Sequence, residues 1–85
     1  DLSFEQKMWY LQILLKPLMS GPKSRGEIEK VFIRESGSRH RFDSLMAYAI
    51  KKGYIVKLGP LGSRAPYKLT DRVQVNSSGN LSIKI

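Results

Sequence analysis

The chain has no cysteine, one histidine, one tryptophan and only seven acidic side chains among its 85 residues. Without cysteine there is no disulfide and no thiolate-metal site, which fits a reducing interior better than a secreted scaffold. The lone histidine, His40, has no second ligand of its kind and no neighbouring carboxylate pair. Neither a metal centre nor an activated nucleophile is expected around it. No stretch approaches the ~18 consecutive apolar residues that a membrane-spanning helix requires. The N-terminus, which opens on Asp1 rather than methionine, lacks the basic start and small-residue cleavage site of a signal peptide. The expectation is therefore a non-enzymatic, cytoplasmic protein with no cofactor, no evident small-molecule ligand and no membrane partner.

Positive charge, by contrast, is abundant. Fifteen Lys and Arg give a formal net charge of +8. Residues 1–35 carry six basic and five acidic side chains, residues 36–72 eight and two, and residues 73–85 one and none. A solvated surface that merely keeps a protein soluble has no reason to gather its excess in one segment. A polyanionic partner does, because clustered cations release counterions when they meet phosphates. The length suits a single domain spanning 1–85, which buries roughly 60–65% of the surface its unfolded form exposes.

Ser3 followed by Gln6 is a capping box, and Phe4, Met8, Leu11, Leu15 and Leu18 recur at helical spacing behind it. Trp9, Tyr10, Ile13 and Leu14 widen the apolar arc beyond one face. Pro17 is expected to kink or end this helix near Lys16, before Ser20-Gly21-Pro22 closes it. Ser24 with Glu27 is a second capping box, ahead of Ile28, Val31 and Phe32, and Ser36-Gly37-Ser38 ends that helix and offers a new cap. A third helix is predicted over 39–52, with Phe42, Leu45, Met46, Ala49 and Ile50 inward and Lys51-Lys52-Gly53 as its C-terminus. After Gly53 the period falls to two. Tyr54 to Leu58 and Tyr67 to Thr70 read as two strands of a hairpin, and Val73 to Asn76 and Leu81 to Ile85 as a second hairpin at 73–85. Trp9, Phe32, Phe42, Tyr54 and Tyr67 are expected in or beside the core, with Tyr48 the aromatic free for contact.

This order of elements, carried by ILLKPLMSGPKSRGEIEKVF, LMAYAIKKGYIVK and YKLT, resembles winged helix-turn-helix domains over about Ile13 to Arg72. The pattern is most similar to MarR-like and PadR-like prokaryotic and archaeal transcriptional regulators. The resemblance implies an α+β fold of three helices and a β-hairpin wing, the third helix lying in the major groove of duplex DNA. One departure stands out. In those regulators the Leu-Thr pair leads into a dimerising helix, whereas Asp71-Arg72-Val73-Gln74-Val75 keeps strand period.

On that reading the side of the third helix away from the core, with its start, offers Arg39, His40, Arg41, Ser44, Tyr48 and Lys51 to the groove, around a small Ala47. Gly59, Pro60, Gly62 and Pro66 let the backbone leave the sheet over the wing at 59–66 and carry Arg64 outward, toward a minor groove or a flanking phosphate. Lys23, Ser24 and Arg25 at the start of the second helix, and Lys57 and Lys68 on the wing strands, are candidates for phosphate contacts. The function implied is sequence-specific binding of double-stranded DNA by a nucleoid-associated transcriptional regulator. The broad arc of the first helix and the C-terminal hairpin suggest a homodimer. Two alternatives use the same fold: a protein-interaction module of a larger assembly, and the DNA-binding part of a replication or plasmid-partition protein.

Overall fold

Both capping boxes form as their spacing predicts. In the computed structural model, which describes residues 2–60 and 64–83, Ser3 Oγ accepts from the Gln6 amide at 3.2 Å while Gln6 Oε1 accepts from the Ser3 amide at 3.1 Å. Helix α1 runs Phe4–Leu15 and passes at Pro17 into a 3-10 segment, Lys16–Ser20. Ser24 and Glu27 reciprocate in the same way at the start of α2, Arg25–Ser36, each box contributing about 1 kcal/mol. Gly37 closes α2 in the left-handed region at φ 71, its amide donating to Ile33 O at 2.9 Å. Helix α3 spans Phe42–Lys51.

The predicted start of the third helix at residue 39 is therefore corrected. Ser38 is buried, and its amide donates to Ser36 Oγ at 3.1 Å. An inward side chain cannot reach the first amides of a following helix, so Ser38 caps nothing, and its hydroxyl is buried without a partner. Arg39, His40 and Arg41 form the turn that leads into α3, which starts at Phe42 without a side-chain cap.

After Gly53, at φ 78, strand β1 (Ile55–Lys57) pairs antiparallel with β2 (Tyr67–Leu69), with Val56 opposite Lys68. The segment between α1 and α2 adds to this sheet, for Lys23 and Tyr67 exchange backbone hydrogen bonds of 3.0 and 2.8 Å. A second antiparallel pair, β3 (Val73–Val75) and β4 (Leu81–Ile83), follows directly. Leu61, Gly62 and Ser63 of the predicted wing, and Lys84 and Ile85 of the last predicted strand, lie outside the described residues. The architecture is α+β: three helices and then two small antiparallel hairpins. Among the described residues no helix is long and apolar enough to cross a membrane.

One core serves the whole. Leu11, Leu14, Leu15 and Leu18 meet Ile28 and Phe32 of α2, Phe42, Leu45, Met46 and Ala49 of α3, Tyr54, Ile55 and Tyr67 of the first hairpin, and Val73 and Leu81 of the second. The Phe32 ring lies 6.0 Å from Tyr10 and 5.8 Å from Phe42, tying the three helices together. Three predicted placements change. Trp9 is 53% exposed, because about 100° per residue puts it nearly opposite the Leu11, Leu14 and Leu15 stripe. Ile50, about a quarter turn from the centre of the α3 stripe, is exposed rather than core. Tyr48 is half-buried against the core instead of free. In β1 the inward residue is Ile55, and Val56 is exposed.

Candidate nucleic-acid interface

With the inward stripe of α3 fixed, its outermost stripe follows from helical spacing: Ser44, Ala47 and Lys51, all exposed. The two flanks differ. On the α1 side, Arg41 is half-buried with its guanidinium 5.5 Å from the Tyr10 ring centroid. Tyr48 packs edge-on to Tyr54 at 6.3 Å and carries the Lys7 ammonium at 4.6 Å and the Lys52 ammonium at 5.8 Å from its centroid. Lys7, His40, Arg41, Ser44 and Tyr48 line one concavity of ≈ 580 Å³ between α1 and α3.

The opposite flank is neutralised. Asp43, with its side chain 84% exposed in the first turn of α3, accepts from Arg25 at 2.6 Å, and Arg25 also lies 5.1 Å from the Phe42 ring. Asp43 favours the positive end of the α3 dipole at a helix start that has no cap. Arg25 reaches in a second direction as well. With Ser24, Lys57 and Arg64 it lines a concavity of ≈ 390 Å³ between the start of α2 and the first hairpin. The unpaired cations thus form a band on both sides of α3, with Lys7 and Arg41 in one concavity and Lys57 and Arg64 in the other beside the paired Arg25.

The expected site residues fall into three groups. His40, Arg41, Ser44 and Tyr48 come together beside α1. Ser24, Arg25, Lys57 and Arg64 come together beside the first hairpin, where Lys57 lies 5.7 Å from the Tyr67 ring and Lys23 sits in the backbone bridge with its ammonium 3.2 Å from Ser20 Oγ. Arg39, Lys51 and Lys68 are exposed outside both concavities. No family model, curated protein or solved structure matches the chain.

Sequence reasoning missed three charged residues. Lys7 sits on an apolar helix, and only the fold brings it to Tyr48. The tie between Asp43 and Arg25 crosses two elements and has no local signal. Arg72 lies across Gly53, where an added Cβ would meet its Cδ at 3.4 Å, so its charge rests at the negative end of α3. Its neighbour Tyr54 has its phenol pushed above the ordinary value, chiefly by burial and further by Tyr48, while Arg72 works the other way.

Proposed function

We propose that the chain is a winged helix-turn-helix domain that binds double-stranded DNA sequence-specifically, as part of a transcriptional regulator acting on the nucleoid in the cytoplasm. In this reading α3 is the recognition helix and residues 59–66 are the wing. The observation that carries it is the uncompensated cationic band: among the described residues only Arg25 is in an ion pair, leaving Lys7, Arg39, Arg41, Lys51, Lys57, Arg64 and Lys68 without one. An α-helix with its side chains is about 10–12 Å across and the major groove about 12 Å wide. The narrow Ser44, Ala47 and Lys51 stripe suits close approach to base edges, and Ala47 suits a thymine methyl. The backbone bridge from Lys23 to Tyr67 ties the start of α2 to the hairpin and supports a wing held in fixed relation to the helices.

Titration of duplex fragments at two salt concentrations tests the reading. Binding is expected to weaken steeply, by a slope of about 0.9 per phosphate engaged. Affinity that is absent or indifferent to salt overturns it, and then the same band on a protein-interaction module facing an acidic partner becomes the better account. A second copy of the chain is the proposed companion, through the outer face of α1 and the second hairpin. There Phe4 and Trp9 are 57% and 53% exposed, and the charge of both segments is close to balanced. Sedimentation at micromolar concentration is expected to show a dimer that Trp9→Ala dissociates; a monomer at that concentration removes this part of the proposal.

A further inference from the structure

We propose that the concavity between α1 and α3 holds a backbone phosphate of the bound duplex, with Lys7 and Arg41 as its cations. His40 and Arg41 then set register instead of reading bases. The inference rests on the DNA-binding reading and assigns it a further contact residue on a helix outside the recognition element.

Four observations lead there. First, the site is built from two elements far apart in sequence: Lys7 comes from α1, and His40, Arg41, Ser44 and Tyr48 from α3 and the turn before it. Second, among the described residues no carboxylate lines it and neither Lys7 nor Arg41 is in an ion pair. Two cations converging on one space without a counter-charge repel each other, and an anion between them removes that repulsion. His40 adds a ring N–H to the same wall.

Third, both cations are held. Lys7 lies against the Tyr48 ring and Arg41 against the Tyr10 ring, so long side chains that normally lose rotamer freedom on binding are already ordered. Fourth, the position on the helix decides which part of DNA is met. Tyr48 and Arg41 lie toward α1, away from the Ser44, Ala47 and Lys51 stripe. In a groove hardly wider than the helix, a flank meets the strand backbone and the outer stripe meets base edges. The space, ≈ 580 Å³, accommodates a phosphate with its sugar.

The test uses the whole chain and a panel of duplexes, the preferred site and scrambled versions of it, at about 50 and about 200 mM salt. Lys7→Met keeps an apolar stem on Tyr48 and removes the charge. It is expected to weaken binding about eightfold near 0.1 M salt, equally on every duplex, and to lower the salt slope by about 0.9. Lys7→Arg is expected to restore both. Thermal melting of each variant separates lost binding from lost folding, and if Lys7→Met melts early, a single neutral methylphosphonate linkage in the duplex replaces it. Such a linkage at the contacted phosphate is expected to reproduce the same loss with the parent protein. Parent-like affinity and slope for Lys7→Met, or no sensitive linkage, overturns the assignment while leaving DNA binding intact. A changed base preference at one position in Arg41→Gln overturns the register role. A parent protein that binds no duplex at either salt removes the DNA reading and this inference together.

Discussion

The two hairpins are alike in strand length and pairing and opposite in how they are closed. In β1–β2 the loop leaves after Leu58, whose amide donates to Pro66 O at 2.8 Å, and Tyr67, the first strand residue after the loop, is bridged to Lys23 ahead of α2. Its surface is basic: Lys57, Arg64 and Lys68. In β3–β4 the turn satisfies itself. Asn76 Oδ1 accepts from the Ser78 amide at 3.1 Å, the Ser78 hydroxyl at 2.8 Å and the Asn80 amide at 2.9 Å, with Gly79 at φ 83. A turn whose polar groups are internally paired has few of them left for a nucleic acid. The first hairpin adds exposed charge to its share of the core, Ile55 and Tyr67, whereas the second brings Val73 and Leu81 to the core and no basic side chain among its described residues.

The comparison can be broken most forcefully in the core. Tyr67→Ala removes a buried ring beneath the bridge to Lys23 and is expected to cost about 3–4 kcal/mol in denaturant unfolding, against about 2–3 kcal/mol for Leu81→Ala. Equal costs would mean that the second hairpin is as integral to the fold as the first. At the loops the two should separate by kind of effect. Arg64→Ala is expected to lower duplex affinity by about tenfold and move stability by less than about 0.5 kcal/mol. Asn76→Ala is expected to do the reverse, losing about 1 kcal/mol of stability with duplex affinity unchanged. A loss of duplex affinity in the second variant would erase the distinction.

The parts of this design legible in the sequence are those encoded locally. Ser3 with Gln6, Ser24 with Glu27, Gly37 and Gly53 are signals a few residues long, and each lies where its chemistry predicts. The start of α3 was not legible, because Ser38 has the composition of a cap and only packing turns it inward. The basic character of residues 36–72 could be read, but not its division into a cationic flank beside α1 and a neutralised one beside α2. That division depends on Lys7 meeting Tyr48 and on Arg25 meeting Asp43, pairings set by how the helices cross. Likewise the period of α1 gave its amphipathicity, yet the exposure of Trp9 followed only once the centre of the buried stripe was known.

The smallest expected effect lies at the joint between the hairpins. There the Thr70 amide donates to Tyr54 O at 3.0 Å and the Thr70 hydroxyl donates to Gly53 O. Burial, with help from Tyr48, holds the Tyr54 phenol above its ordinary value of 10.0, and Arg72 opposes the shift. A raised folded-state value means that the neutral phenol is the form the fold favours. Stability from this group is thus complete below about pH 10, and it falls as pH rises past that point, where the unfolded chain ionises first. The loss ends once the folded-state value is passed. Tyr54→Phe is expected to flatten this part of the alkaline slope, measured as the difference from the parent in urea unfolding between about pH 9 and about pH 11, where lysine titration is common to both. Arg72→Met removes the opposing charge and is expected to steepen the slope. If the parent and Tyr54→Phe decline in parallel, the joint is open to solvent, and the two hairpins are less firmly coupled than their shared core implies.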